Sequence, residues 1–137
     1  MTVTDGSRQR ETQILIAVDH LIFRAGLRKL LESEGEFVVT GEAATADETL
    51  NLVKEREPDV LLLDSLMPQV RGFEVLRRLP KSDSPLRTIL LMASLENSDI
   101  VGALLLGARG IVSKQSTSEM LFKAIRCVMA GELWVSR

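Results

Sequence analysis

The run Val60-Leu61-Leu62-Leu63 ends directly on Asp64, with Pro58 before it and Pro68 after it. This feature restricts the fold more than any other. A short, wholly apolar run between turn signals reads as a strand covered on both faces, because a strand with one wet face would alternate. Asp64 then stands at the carboxyl tip of a buried strand, where open α/β sheets gather their chemistry. An aspartate there also suits a loop start or a helix cap, so its neighbours decide.

The rest of the chain alternates strand-like apolar runs with stretches of helical period, about 25 residues apart, the mark of βαβ units. Strand one covers 14–18 and is followed by a helix over 21–34, with Phe23, Leu27, Leu30 and Leu31 on one face and Gly35 at its end. Strand two is short, 37–40. The second helix opens on Thr45-Ala46-Asp47-Glu48, a capping box, and shows Ala46, Leu50 and Val53 on one face before Pro58 stops it. After Asp64 a loop runs to Gly72, a short helix covers 73–79, and Asp83 and Ser84 form turns in the connection to strand four, 88–92. A fourth helix over 98–106 closes at Gly107, strand five covers 110–113, and Ser116-Thr117-Ser118-Glu119 is a second capping box. The last helix carries Leu121, Ala124, Ile125 and Val128 and ends near Gly131. Five strands and five helices in this order fold most simply as a doubly wound, five-stranded parallel sheet with helices on both faces.

Composition sets bounds. The 137 residues make one domain, 45% hydrophobic and 26% charged, which is ordinary for a globular protein. No apolar stretch reaches the roughly 18 residues of a spanning helix, and residues 1–11 are polar, so neither a membrane role nor a signal peptide is expected, and the expected location is cytoplasmic. The single cysteine, Cys127, agrees with a reducing compartment. A net charge of −2 with dispersed Lys and Arg offers no basic face for nucleic acid, so this domain alone is not expected to bind DNA.

In the doubly wound sheet the carboxyl ends of the strands share one edge. That edge collects Asp19 and His20 after strand one, Asp64, Ser94 after strand four, and Lys114 after strand five. Two carboxylates suit a divalent cation such as magnesium, and a lysine opposite them suits a phosphoryl group as a point charge. Each residue has a plainer role beside this one: Asp19 as a helix N-cap, Lys114 as a solvated lysine, and His20, alone of its kind, as a structural histidine.

Taken together, Ile14-Leu15-Ile16-Ala17-Val18-Asp19-His20, Asp64-Ser65-Leu66-Met67-Pro68 and Gly107-Ala108-Arg109-Gly110-Ile111-Val112-Ser113-Lys114 resemble the receiver domain of bacterial response regulators, over about residues 12–131. The Asp-His pair, the Gly-Ala-Arg-Gly before strand five and Gln115 after the lysine look most like receivers of LuxR/NarL-type transcription factors. The resemblance implies the flavodoxin-like (βα)5 receiver fold and a phosphorylation switch served by a sensor histidine kinase and magnesium. It makes Asp64 the phosphoacceptor and a metal ligand, Asp19 the direct acidic metal ligand, the backbone carbonyl of Leu66 a main-chain metal ligand, and Lys114 the contact to the phosphoryl oxygens. The domain is then no enzyme beyond its own modification and its reversal. Other classes fit less well. A haloacid-dehalogenase-like phosphatase needs an acid where Leu66 stands, and Asp19-His20-Leu21-Ile22-Phe23 is neither a Gly-x-Gly-x-x-Gly nor a flavodoxin phosphate loop.

Three positions depart from the family pattern. Val18 replaces the first of two adjacent acids, which weakens the expected magnesium site. Met92 replaces the switch Ser or Thr and cannot donate its hydrogen bond, with Ser94 two residues on. Ile111 replaces the switch aromatic. Two readings follow: a phosphorylatable receiver with an unusual relay, which regulates transcription through a DNA-binding domain outside this chain, or a degenerate receiver that works by protein contact or dimerisation without phosphate. Residues 132–137 resemble the start of the linker that in such regulators leads to a helix-turn-helix domain. The fourth helix has an apolar stripe of Val101, Leu104, Leu105 and Ala108 and a second apolar surface of Ile100, Ala103 and Leu106, so one is expected on the sheet and the other against a partner, with a homodimer as the implied assembly.

Overall fold

A computed structural model of the chain describes residues 11–67, 71–80 and 84–136. Residues 1–11, expected from their polar sequence to be a disordered N-terminal segment, lie, apart from Glu11, outside the described residues, as do Pro68, Asp83 and Arg137. The elements are β1 (Thr12–Ala17), α1 (Leu21–Glu32), β2 (Phe37–Ala43), α2 (Ala46–Arg56), β3 (Val60–Asp64), α3 (Gly72–Arg78), β4 (Arg87–Met92), α4 (Asn97–Leu105), β5 (Gly110–Ser113), α5 (Ser118–Met129) and β6 (Trp134–Val135). All strand pairs are parallel, in the order β2-β1-β3-β4-β5-β6. The chain reverses its direction of travel across the sheet at β1 and β3, so the crevice beyond their carboxyl ends is the switch point of the fold.

Alternate side chains of the central strands feed two apolar layers. Ile14, Ile16, Leu62, Ile89 and Val112 pack with α1 and α5; Leu15, Leu61, Leu63, Leu90 and Ile111 pack with α2, α3 and α4. Every residue of β3 is buried, which is why its sequence does not alternate.

The differences from the sequence reading are local. The sheet has six strands rather than five, because Trp134–Val135, read as linker, pairs with Gly110 and Ile111 of β5. Two residues are too short a run to show a period of two. β2 continues past Thr40 to Ala43 through a bulge: Ile14 pairs with Val39 and Leu15 with Gly41, leaving Thr40 as the extra residue that interrupts the alternation. The first capping box forms in a variant: Thr45 Oγ1 accepts from the Glu48 N–H at 3.1 Å, while Glu48 Oε1 accepts at 2.8 Å from the N–H of Ala44, one residue before the cap, rather than from that of Thr45. The second shifts by one residue: Thr117, not Ser116, caps α5, accepting from the Met120 N–H at 3.2 Å, so Glu119 closes no box. Ser84 does form its turn, accepting from the Leu86 N–H at 3.2 Å. On α4 the division runs through the expected stripe. Ala103 and Ala108 are buried with Ile100, Leu104 and Leu106 packed around them, while Val101 and Leu105 face outward, Leu105 at 82% exposure.

Candidate functional site

The strand ends bring Asp64 and Lys114 together. Asp64 closes β3 and is only 3% exposed. Lys114 follows β5, held there by its backbone N–H, which donates to the Met92 carbonyl at 2.8 Å. Its Nζ lies 2.7 Å from Asp64 Oδ1, and the Phe23 ring of α1 lies 5.9 Å from the same ammonium. Lys114 is thus not a solvated strand-end lysine. A buried carboxylate without such a partner would be costly, so the pair is what lets Asp64 sit in the sheet.

Asp64 is not a helix cap either. The N-cap of α3 is Arg71, which makes no side-chain cap bond. Instead the Leu66 N–H donates to Asp64 Oδ1 at 2.9 Å, folding the strand end back on itself. Among the described residues both donors to this carboxylate reach Oδ1 and none reaches Oδ2.

Asp19 lies two residues past the end of β1, the neighbour of β3, and is exposed. It too is released from a capping role. His20 caps α1, its Nδ1 accepting from the Phe23 N–H at 3.4 Å, as suits a structural histidine. Among the described residues no three His, Cys, Asp or Glu side chains cluster as a metal cage. Two carboxylates on adjacent strand ends with a peptide carbonyl at Leu66 still form the sparse, all-oxygen donor set that magnesium accepts while keeping several of its waters. The residues present fit that ion.

The departures are buried in the apolar layers. Val18 is fully buried in the layer with α1, and Met92 and Ile111 lie in the other layer with Ala103 and Ala108. Ser94 is exposed. Neither β4 nor β5 supplies a buried hydroxyl or an aromatic ring at these positions.

Gly72 is a site residue that its sequence position did not reveal. Its N–H donates to the Ser65 carbonyl at 3.0 Å, and a Cβ there would lie 2.5 Å from the Asp64 carbonyl oxygen and 2.9 Å from Ser65 Cα. The start of α3 therefore rests on the backbone of Asp64 itself, a closeness only glycine permits. Read alone, Gly72 is just a loop end.

The sequence profile of the response regulator receiver domain matches residues 14–126. The chain belongs to this family. Its relatives are LuxR/NarL-type regulators: the receiver is 33% identical over 130 residues to the nitrate/nitrite response regulator protein NarL of Escherichia coli, covering 95% of this chain and 60% of the relative. It is 33% identical over 122 residues to the transcriptional regulatory protein YdfI of Bacillus subtilis, covering 88% of this chain and 56% of the relative. The chain thus spans less than two thirds of the curated relatives it matches. Among solved structures, the signal receiver domain of the response regulator NarL from Mycobacterium tuberculosis superposes with a TM-score of 0.84 at 32% identity, covering 90% of this chain and 99% of that one. The isolated receiver domain of RcsB from Salmonella enterica, solved with the phosphate mimic BeF3−, gives 0.83 at 26% identity, covering 93% and 95%. The flavodoxin-like fold of this receiver is that of its relatives. Among the described residues no helix is long and apolar enough to cross a membrane.

Proposed function

We propose that this receiver accepts a phosphoryl group on Asp64 from the phosphohistidine of a sensor histidine kinase, within a cytoplasmic two-component pathway. The observation that carries the reading is the buried Asp64 with Lys114 Nζ at 2.7 Å on Oδ1 and no donor among the described residues on the other oxygen. Oδ2 attacks phosphorus, an O–P bond forms and the P–N bond of the donor breaks. The departing imidazole nitrogen keeps the bonding pair and takes a proton from solvent. An aspartate is a weak nucleophile, so rate depends on positioning and on neutralising the phosphoryl oxygens. Lys114 supplies one positive charge, and the Leu66 N–H fixes the carboxylate plane. Asp19, Asp64 and the Leu66 carbonyl would hold magnesium, which would supply the remaining neutralisation. With Val18 in place of an acid, one charge-assisted interaction worth roughly 1.5–3 kcal/mol is missing, so magnesium binds on the order of ten- to a hundredfold more weakly than with two acids.

A second reading rests on the burial of Met92 and Ile111: a degenerate receiver that acts through protein contact or a homodimer whether or not Asp64 carries phosphate. The two readings are separable because Trp134 pairs with Gly110 at the amino end of β5, remote from Lys114 at the other end. Titration with beryllium fluoride and magnesium, followed by the NMR shifts of Asp64 and Lys114 and by Trp134 emission, tests both. Shifts at the two residues with a change at Trp134 support a working relay; shifts without it favour the second reading; no shifts contradict the acceptor reading. Regulation of transcription would then belong to a DNA-binding domain outside these residues.

A further inference from the structure

With Val18 buried and apolar, Asp19 is the single acid that the turn between β1 and α1 offers to a cation, so its placement matters more than in a pair of acids. Three hydrogen bonds, one of them long, clamp the backbone of that turn. The Val18 N–H donates to the Ala43 carbonyl of β2 at 3.0 Å. Arg24, from the start of α1, reaches back with Nη1 to the Val18 carbonyl at 2.7 Å and, more loosely, to the Asp19 carbonyl at 3.5 Å. The same guanidinium donates through Nε to Glu42 Oε1 at 2.9 Å, and Arg28 Nη1 takes Glu42 Oε2 at 2.6 Å. Arg24 retains only 15% side-chain exposure.

An arginine near the start of a helix opposes the helix dipole, and α1 carries no acid in its first turn. The compensating charge comes from β2, where Glu42 is in reach only because the strand continues past its bulge. Two arginines, Arg28 foremost, hold the Glu42 carboxyl below its ordinary range, so it stays ionised at neutral pH. A planar fork can serve a carbonyl and a carboxylate at once, which a lysine ammonium on a flexible stem cannot do in the same geometry.

We propose that Arg24, braced by Glu42, is a positioning residue for cation binding: it fixes the Val18 and Asp19 backbone so that the Asp19 carboxylate stands ready at the strand-end edge it shares with Asp64. This rests on the reading of Asp19 and Asp64 as cation ligands. Partners that orient a ligand from outside the first shell typically change metal affinity by about ten- to a hundredfold. A purely electrostatic role has the opposite sign, since a nearby positive charge repels a cation and its removal tightens binding.

The test is magnesium titration by calorimetry on the whole chain and on Arg24→Lys, Arg24→Ala and Glu42→Gln, with amide hydrogen exchange measured without metal at Val18 and Phe23, whose N–H groups donate to the Ala43 carbonyl and to His20 Nδ1. Each variant is expected to bind magnesium about tenfold more weakly and to exchange faster at those two amides, with native circular dichroism. Arg24→Lys preserves charge and keeps the test open if Arg24→Ala does not fold. Unchanged affinity in Arg24→Lys, tighter binding in Arg24→Ala, or unchanged exchange in all three overturns the inference while the ligand reading stands. A wild-type chain that binds no magnesium overturns the ligand reading, and the inference with it.

Discussion

Replacing Gly72 by alanine adds one methyl group where the backbone of Asp64 already lies. The new Cβ would sit 2.5 Å from the Asp64 carbonyl oxygen and 2.9 Å from Ser65 Cα, and neither atom is the yielding end of a side chain. The start of α3 has to lift or the strand end has to move, and either stretches the bond from the Gly72 N–H to the Ser65 carbonyl. Overpacking of this kind costs about 1–3 kcal/mol, the upper part of the range applying against backbone. Alanine recovers about 0.5–1 kcal/mol of backbone entropy in a helix, so the net loss is about 1–2 kcal/mol. Gly26→Ala is the internal control: Gly26 lies within α1 with nothing inside 4 Å of its Cβ position, so the same substitution there should stabilise by about 0.5–1 kcal/mol. Urea unfolding of both variants, with equal m-values, reads the two effects in opposite directions. A Gly72→Ala chain as stable as wild type, or a shift of the same sign at both glycines, would refute the argument that α3 rests on the backbone of Asp64.

Three further outcomes are expected. Lys114→Met should cost about 3 kcal/mol in urea unfolding at neutral pH by stranding the Asp64 carboxylate, whose side chain is 4% exposed; Asp64→Asn should cost less, because Lys114 at 23% can rehydrate, and equal costs would contradict this asymmetry. Val18→Asp should tighten magnesium binding by on the order of tenfold or more in calorimetry while lowering the stability of the metal-free chain, since a charge enters a fully buried position. The Glu42 carboxyl, held below its ordinary value of 4.5 by Arg28 first and Arg24 second, contributes stability that is fully present above that value and lost as pH falls through its lower native one. The advantage of wild type over Glu42→Gln in urea midpoint should therefore be largest near neutrality and shrink in acid; an advantage that grows in acid would reverse the sign of the argument.

What the sequence disclosed and what it hid divide on physical lines. The run 60–63 and its terminal acid announced β3, because burial on both faces leaves no polar residue to blur the pattern. The first capping box announced α2 for a similar reason, since its partners lie within four residues of one another. The convergence of Asp64 and Lys114 followed from topology, because parallel strands put every carboxyl end on one edge. Gly72 and Arg24 were not legible. The need for glycine at 72 arises from an approach to Asp64 and Ser65 across the loop, and the task of Arg24 arises from a carbonyl at Val18 and a carboxylate on a different strand. One trace of the second was present: a cation near the start of a helix whose first turn holds no acid calls for a partner elsewhere. The extension of β2 that supplies this partner was masked by the bulge at Thr40, and β6 by its length.

Asp64 is expected to accept a phosphoryl group despite Val18, Met92 and Ile111. Intact-mass analysis after incubation with acetyl phosphate and magnesium, beside an Asp64→Asn chain and a chelated control, tests it most directly. The expected result is a mass increment of one phosphoryl group that requires magnesium at elevated concentration, maps to Asp64 and is absent from Asp64→Asn. No increment in folded wild-type protein at saturating magnesium, or an equal increment in Asp64→Asn, would contradict it.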